Sequence, residues 1–339
     1  MMLILAAVAL AGPAPQDTVL ALEGPVLDLL PCDFDGDGDT DLLACTGEPG
    51  RLTLVRREPR SWTAVVLLEG LSHPSSVAIS PRRTLLLCDE GRRLALLAAP
   101  DGDSLRRLRR FVLPDGPGDA HSAADGGFLV TLREFGEVVR IPAGPCDSAP
   151  PGTVLRLAGA KSVVSGDYDG DGHADLAASG CGSGLLLAEG GDTGFAVVHR
   201  ERFFDGIKAL ETADVDGDGL TDVIGIACGE GGVAWWKNPG RGEGWTMGFL
   251  YRECSGPKCV AALPNPLGGT FLLVGSVGGD GLLAGPILGQ AWFGAPIWDG
   301  RVTAVAAFCV EEGAVLVAAG TLGGRLRIME LRGWGTAGG

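Results

Sequence analysis

The chain consists of short apolar stretches, rarely longer than six or seven residues, separated by turns rich in glycine and proline. Stretches of this length, bounded by such turns, predict β-strands rather than helices. They fall into seven units of roughly 44 to 48 residues, each reading strand, turn, strand, glycine-containing turn, strand. Four of the units begin at Val77, Ser122, Val260 and Val305. A period of this size indicates an array of repeated supersecondary units.

A fourth strand follows the third in most units. It begins at Trp62, Leu108, Thr153, Phe195 and Trp245. The seventh unit ends one strand short after "RLRIMEL", whereas "TVLALEG", at residues 18–24, is an extra strand before the first unit. Four antiparallel strands per repeat make a β-propeller blade. We therefore predict an all-β, seven-bladed β-propeller of four-stranded antiparallel blades, with the N-terminal strand completing the last blade and removing two exposed sheet edges.

The predicted propeller spans residues 17–334. Its blades are expected near residues 25–70, 71–114, 115–159, 160–204, 205–253, 254–299 and 300–332, the last completed by residues 18–24. Residues 1–14, "MMLILAAVALAGPA", contain an apolar run too short to span a bilayer, followed by small residues, and predict a signal peptide although no Lys or Arg precedes the run. Residues 335–339 form a short tail. We expect a secreted, periplasmic or cell-surface protein without a transmembrane anchor.

Three acidic loops share one spacing: "DFDGDGDTD" from Asp33, "DYDGDGHAD" from Asp167 and "DVDGDGLTD" from Asp214. Aspartates at positions 1, 3, 5 and 9 of such a loop can converge on one hard cation through oxygen ligands, and position 7 offers its backbone carbonyl. We predict three calcium ions with these ligands: Asp33, Asp35, Asp37, Asp39, Asp41; Asp167, Asp169, Asp171, His173, Asp175; Asp214, Asp216, Asp218, Leu220, Asp222. Of these, Asp39, His173 and Leu220 occupy position 7.

The loops are not EF-hands. They lack a glutamate at position 12, and each is followed at once by an apolar run such as "DLLAC" or "DVIGIA", so they join strands. All the candidate side chains of a loop would bind the ion, and none is left to act on a water bound to it. We therefore predict that the metals are structural rather than catalytic. Metal binding would then add to folding stability.

The repeats resemble the FG-GAP or VCBS-type family, the calcium-loop propeller units of integrin α-subunit heads and of many exported bacterial proteins. The resemblance rests on DxDGDGxxD before an apolar strand in three blades, on "VAWWKNPG" from Val233, and on outer strands headed by Trp62 and Trp245. It covers nearly all of the chain after the signal peptide, and it implies a loop between the innermost strand and the next. Four blades lack the acidic loop, so the resemblance implies no calcium there.

The charge composition limits the classes of partner that the chain can bind. The chain has 42 acidic against 27 basic residues, a net charge of −15, which argues against nucleic acid as a partner.

Nine cysteines are an odd number, so at least one would stay unpaired in an oxidising compartment. Cys254 and Cys259, in "CSGPKC", enclose a Gly-Pro turn and form the best local candidate for a disulfide.

Cations recur at the start of the inner strands. Lys161 and Lys208 each lie six residues before the first aspartate of a loop, and Lys258 and Arg301 fit the same place in blades six and seven. His73 and His121 approach the corresponding places in blades two and three. An inner strand of six residues spans about 20 Å, so these cations should lie on the face opposite the calcium loops. If these cations surround one mouth of the central channel, they would favour an anionic ligand there. Alternatively, the lysine and arginine side chains are solvated loop residues.

The leading interpretation is a non-catalytic, exported, calcium-stabilised propeller that serves as a binding or scaffold module for a protein, a glycan or an anionic small molecule. The chain has no GxSxG or HExxH motif, and its four histidines are scattered. The alternative is a propeller-type oxidoreductase that holds an anionic quinone in the central funnel. His121 would then be its candidate base, and Lys208 and Arg301 would clamp the cofactor.

Overall fold

The structure is a computed structural model that describes residues 17–331 except 124, 145–148, 193, 203, 205, 228–230, 241–243, 265–268, 289–290 and 310–314. The predicted signal peptide at 1–14 and tail at 335–339 lie outside the described residues. The described chain is almost entirely β-structure, and a single 3-10 turn, Glu90–Arg92, joins two strands of the second blade. Within the described residues, no helix is long and apolar enough to cross a membrane.

The strands follow one another along the whole chain. The first half contains β1 (Thr18–Ala21), β2 (Val26–Cys32), β3 (Asp41–Thr46), β4 (Arg51–Glu58), β5 (Ser61–Glu69), β6 (Pro74–Ile79), β7 (Leu85–Asp89), β8 (Leu94–Asp101), β9 (Ser104–Val112), β10 (Pro117–Ser122), β11 (Phe128–Leu132), β12 (Glu137–Ile141), β13 (Gly152–Arg156) and β14 (Ala160–Gly166). The second half contains β15 (Asp175–Gly180), β16 (Gly184–Glu189), β17 (Ala196–Glu201), β18 (Ile207–Ala213), β19 (Asp222–Ala227), β20 (Gly232–Lys237), β21 (Thr246–Tyr251), β22 (Pro257–Pro264), β23 (Thr270–Ser276), β24 (Leu282–Leu288), β25 (Ala291–Trp292), β26 (Ala295–Trp298), β27 (Val302–Cys309), β28 (Val315–Thr321) and β29 (Arg325–Leu331).

These strands form seven antiparallel sheets arranged as the blades of a propeller, which confirms the predicted fold. Six sheets follow chain order, from β2–β5 in blade 1 to β22–β26 in blade 6, where β24 pairs with both β25 and β26. Blade 7 has the order β1-β29-β28-β27, so the N-terminal strand supplies its outermost position. In that pairing Thr18 lies opposite Ile328 and Ala21 opposite Arg325. The first strands of neighbouring blades contact each other around the ring, from β2 and β6 to β27 and β2.

The hydrophobic core lies between the blades. Each of seven clusters of buried residues joins two adjacent blades and includes side chains from both. In β3, for example, Leu42 and Ala44 pack toward blade 7, whereas Leu43 and Cys45 pack toward blade 2. Successive side chains of a strand point to opposite faces, so a middle strand that is buried on both faces must be apolar at every position. This requirement explains the continuous apolar runs of the sequence.

The predicted disulfide between Cys254 and Cys259 is not formed. The two sulfur atoms lie on opposite faces of blade 6, because Cys254 is buried in the cluster between blades 5 and 6 and Cys259 packs against the cluster between blades 6 and 7. The Gly-Pro turn between them leads into a β-bulge in β22, between Pro257 and Cys259. Closeness in sequence therefore does not bring these two side chains together. Burial raises the pKa of the Cys259 thiol to about 12.

Candidate functional site

The three acidic loops connect the first and second strands of blades 1, 4 and 5, between β2 and β3, β14 and β15, and β18 and β19. Gly36 and Gly38 adopt φ angles of +87° and +92°, in the left-handed region that glycine tolerates without strain. The glycines of the other two loops repeat this geometry. The loops therefore have the turn geometry that the sequence predicts, at one end of the inner strands.

Carboxylate oxygens converge within each loop. In every case they lie within 4.8 Å of one another, in the groups Asp33, Asp35, Asp37; Asp167, Asp169, Asp175; and Asp214, Asp216, Asp218. Positions 1 and 3 thus converge in all three loops, position 5 in two and position 9 in one. A donor set made only of oxygens suits a hard cation such as Ca²⁺. The side chains at position 7 are outside these groups, and the carbonyl ligand at that position stays a prediction.

The aspartate at position 9 has a second role that sequence reasoning missed. Asp222 is buried, its Oδ2 accepts a hydrogen bond from Val215 N at 3.0 Å, and its Oδ1 accepts one from Asn238 N at 2.7 Å. Equivalent bonds reach Asp41 from Phe34 N and Arg57 N, and Asp175 from Tyr168 N and Gly190 N. This carboxylate ties the loop to the end of the third strand. Burial raises the pKa of Asp222 to about 7.

One position at the end of the third strand distinguishes the loops. In blade 1, Arg56 Nε lies 3.2 Å from Asp35 Oδ2; in blade 5, Lys237 Nζ bonds Asp216 and donates to Asp218 Oδ2 at 2.9 Å. The corresponding residue of blade 4 is Glu189, and burial together with the aspartates of its loop raises its pKa. Two loops therefore hold a side-chain cation, and the third gains another carboxylate. The signal in the sequence is the residue 14 or 15 places after position 9.

A cavity of about 510 Å³ lies in the central channel. Residues of all seven inner strands line it, including Asp28 and Ser76 in the first two blades and Thr303 in the last. The predicted cations Lys161, Lys208 and Lys258 line the same cavity, each as the second residue of its inner strand. The loop aspartates follow the other end of β14 and β18. The cations and the acidic loops thus lie at opposite ends of these strands, as predicted.

Two further basic side chains border this cavity, and one carboxylate lies beside both. Glu90 pairs with Arg133 Nη1 at 3.2 Å and lies 3.1 Å from His73 Nδ1. Burial, and after it the positive charge of Arg133, lowers the pKa of Lys161; Lys208 adds to this effect. The sequence pattern did not point to Arg133, because this residue lies in the turn between β11 and β12 and not at the start of an inner strand.

His121 and Arg301 are described residues that do not line this cavity. The inner strand of blade 3 begins at Pro117, not at Ser122 as the sequence pattern suggested, so His121 lies near its far end. Arg301 lies just before β27, and its Nε donates to Val277 O at 3.3 Å. The cations that line the cavity are therefore Lys161, Lys208 and Lys258, on inner strands, and Arg133, in a turn; His73 lines the same cavity.

Deeper in the channel, one position of the inner strand links neighbouring blades. It lies at the bulge of the strand, and its side chain accepts a hydrogen bond from a backbone amide of the next blade. The bonds run from Val77 N to Asp28 Oδ2 at 2.8 Å, from Ala120 N to Ser76 Oγ at 3.3 Å, from Val163 N to Asp119 Oδ2 at 3.0 Å and from Leu210 N to Ser162 Oγ at 3.1 Å. Blades 5 to 7 carry Ala209, Cys259 and Ala304 at this position.

The carboxyl groups of the channel are half-buried, and Asp28 and Asp119 line its cavity. Burial raises the pKa of Asp28 to about 6 and that of Glu211, on β18, to about 7, and it also raises the pKa of Asp119. The negative charge of Asp119 adds to the effect on Asp28 and Glu211. These groups oppose ionisation, so the cations at the mouth are only partly compensated from within the channel.

Comparisons with known proteins bear on the fold more than on the family. No protein family's sequence model matches the chain. A stretch of 95 residues, 28% of the chain, is 34% identical to the tRNA(Ile)-lysidine synthase of Hyphomonas neptunium, and it spans only 23% of that protein's length. This match is too partial to assign a family.

Solved structures of propellers resemble the chain over almost its whole length. They include virginiamycin B lyase from Staphylococcus aureus (TM-score 0.67, 11% identity, 94% of this chain and 99% of that one) and the WD40 domain of Doa1 (0.65, 13%, 92% and 95%). A third is YCF48 bound to a D1 peptide (0.62, 16%, 95% and 96%). At these identities the likeness establishes the fold alone: the chain is a β-propeller.

Proposed function

We propose that this protein is a non-catalytic binding propeller, exported from the cell and stabilised by calcium, whose channel mouth receives an anionic group. The observation that carries the proposal is the placement of Lys161, Lys208, Lys258 and Arg133 around a single cavity. Four cationic side chains converge there in a chain of net charge −15. The ligand would be an anionic small molecule, or a carboxylate, sulfate or phosphate borne by a protein or glycan partner.

The electrostatics of the mouth support an anion. Like charges held close together by separate strands repel one another, and the lowered pKa of Lys161 reflects both burial and this repulsion. An anion between them would relieve the repulsion, and a concave site focuses the field on it. Glu90 offsets only part of the charge, because it is already bonded to Arg133 and lies beside His73. In the channel below, burial raises the pKa of Asp28 to about 6 and that of Glu211 to about 7, which lowers the negative charge there.

The acidic loops support the calcium part of the proposal. Their donor atoms are oxygens, converge within 4.8 Å and follow glycine-rich turns. A bound calcium would neutralise carboxylates that otherwise repel one another, and would fasten the turn between the first two strands of the blade. The resemblance to FG-GAP and VCBS-type repeats points the same way. In this proposal the metals are structural and the binding chemistry belongs to the opposite face.

The fold supports a binding role more than a catalytic one. Propellers commonly act as platforms for partner proteins, and YCF48, a structural neighbour, has been solved with a bound peptide. The quinone-oxidoreductase alternative relied on His121 as a base, but that residue does not line the cavity that the cations share. No observation of the site therefore favours it.

The test uses the full chain and two defined probes, citrate and inorganic phosphate, in titration calorimetry at low salt. Replacing Lys161, Lys208 and Lys258 together by glutamine should weaken citrate binding at least ~10-fold, because three charges that focus the field are lost. A matched control removes three exposed cations outside the channel, by Arg106→Gln, Arg107→Gln and Arg110→Gln. Equal affinity of the wild type and the lysine variant, or equal losses in both variants, would refute the channel mouth as the anion site.

A further inference from the structure

The outermost strand of blade 2 is strongly basic. The sequence of β9, "SLRRLRRFV", carries four arginines, and Arg106, Arg107 and Arg110 are exposed. None of these three forms an ion pair among the described residues. Arg109 differs, because its guanidinium stacks over the Phe111 ring at 4.4 Å. The strand thus presents a row of arginines to solvent.

This basicity contrasts with the rest of the molecule. Residues 71–114, which include blade 2, contain eight arginines and four acidic residues, although the whole chain has 27 basic and 42 acidic residues. No other outermost strand of the described blades carries more than one arginine or lysine; β13 and β17 have one arginine each, and β5, β21, β26 and β1 have none. The positive charge is therefore concentrated on one edge of the propeller.

The same strand has an open edge. β9 pairs with β8 from Asp101↔Ser104 to Leu94↔Val112, and no strand of the described chain pairs with its other side. Val112, at the end of the strand, is 74% exposed. An unpaired edge offers alternating backbone N–H and C=O groups to an added strand. Charged residues can also protect an edge from aggregation, but β5 and β21 are outermost strands without any such cation, so protection does not explain why one blade is singled out.

We propose that the outer edge of blade 2, β9, docks an extended acidic segment of a partner protein as an additional strand. The partner's backbone would complete the ladder of the sheet, and its carboxylates would pair with the planar guanidinium groups of Arg106, Arg107 and Arg110. Nine residues span about 30 Å, the length of a short peptide strand. The net charge of −15 on the whole chain would repel an extended polyanion beyond this strand, which favours a short acidic peptide over a nucleic acid.

The first test measures binding of a fluorescein-labelled nine-residue peptide, Glu-Glu-Val repeated three times, to the full chain by fluorescence anisotropy. Its glutamates lie on both faces of an added strand, as Arg106 and Arg107 do on β9. The Arg106→Gln, Arg107→Gln, Arg110→Gln variant should weaken binding at least ~10-fold, since the exposed pairing charges are removed. The Arg60→Gln, Arg156→Gln, Arg200→Gln variant removes three exposed cations from other blades and should bind as the wild type does. The proposal is overturned if the β9 arginine variant binds normally or if this control variant loses the peptide to the same extent.

Two further arms separate the mechanism from simple charge attraction. A peptide of equal charge with prolines in place of the valines cannot complete a ladder and should bind at least ~10-fold more weakly. A charge-reversal pair, Arg106→Glu and Arg107→Glu with a Lys-Val peptide, should restore binding and thereby show that the variant strand is folded. Equal binding of the proline peptide, absence of rescue, or tighter arginine-dependent binding of a uridine oligonucleotide or a heparin hexasaccharide would contradict the proposed partner.

Discussion

The residue at the end of the third strand determines how the charge of each acidic loop is compensated. Lys237 places an ammonium among the aspartates of blade 5, and Arg56 places a guanidinium beside Asp35 in blade 1. Blade 4 has Glu189 at this position, so its loop gains a carboxylate where the other two loops have a cation. If calcium binds all three loops, it joins a basic side chain at this position in two of them and a further carboxylate in the third. The blade 4 loop should therefore depend most on the metal.

Chelation provides the corresponding prediction. Excess EGTA should lower the melting temperature of the wild-type chain, because the loops lose the ion that neutralises them. Glu189→Lys should reduce this loss by at least about 2 °C, because it supplies a tethered cation to blade 4, and Lys237→Gln should enlarge it. Scanning calorimetry with and without EGTA measures both changes.

Two controls accompany this experiment. Glu69→Lys and Lys258→Gln make the same charge changes away from the acidic loops, and both should leave the effect of EGTA as it is in the wild type. An unchanged melting curve in excess chelator would argue against calcium in any loop. Equal chelator effects in all variants would argue against the role assigned to residues 189 and 237.

At the scale of elements, the inner strands combine two tasks. Their first residues provide the cations of the channel mouth, and the residue at the bulge fastens each blade to the next in blades 1 to 4. In blade 1 this residue is Asp28, which is half-buried beside the channel cavity and accepts from Val77 N of blade 2 at 2.8 Å and from Leu29 N at 2.9 Å. A carboxylate is a strong acceptor, but its negative charge is costly in a buried position.

This cost predicts a dependence of stability on pH. The pKa of Asp28 is about 6 in the folded chain and near 3.8 when unfolded, so below pH 3.8 both states are protonated and the group has no effect. As the pH rises from about 4 to 6, the unfolded state releases its proton first, and the folded state loses up to about 3 kcal/mol. Asp28→Asn keeps an acceptor for Val77 N without the charge. The free energy of unfolding of this variant should therefore exceed that of the wild type by more at about pH 8 than at about pH 4.5.

Chemical denaturation at the two pH values measures this difference. Asp192→Asn is the matched control, because the Asp192 side chain is 95% exposed and its replacement removes a charge without any desolvation. The control should change stability little at either pH. If the Asp28→Asn variant is no more stable than the wild type at the higher pH, the proposed cost of the buried carboxylate is contradicted.

The inner strands also show where sequence reasoning works and where it fails. The middle strands and the acidic loops could be placed from sequence, because apolar residues at every position and repeated aspartates are strong local signals. The inner strand of blade 3 could not, because "PGDAHS" faces the channel and carries few apolar residues. Arg133 reaches the channel from a turn, and the bonds of Asp222 join residues 7 and 16 places away, so neither follows from spacing along an inner strand.

At the scale of the whole molecule, stability is distributed around a ring. Each of the seven clusters joins two blades, so the ring is continuous only if the last blade is complete. Blade 7 depends on β1, which is separated from β29 by almost the entire chain. Arg327 bonds Asp17 at 2.5 Å beside this pairing, and Leu22 N donates to Gly324 O at 2.7 Å. Contacts so distant in sequence carry a high loop-closure cost, which the buried side chains of the N-terminal segment must offset.

The contribution of the N-terminal segment to closing the ring can be tested with two of its residues. Leu22 is buried in the cluster between blades 7 and 1, whereas Val19, on β1, is 57% exposed. Leu22→Ala should destabilise the chain by about 2–4 kcal/mol, because it removes buried methyl groups and leaves a cavity. Val19→Ala should change stability by no more than about 0.5 kcal/mol.

Urea denaturation gives both stabilities, and hydrogen exchange locates the effect. The amides of β29 that face β1, opposite residues 18–21, should lose protection in the Leu22→Ala variant before those of the inner strands do, because the outermost strand separates first. Protection lost equally around the ring would mean that all blades open together. Equal effects of the two substitutions would show that the N-terminal segment contributes no specific packing to the closure.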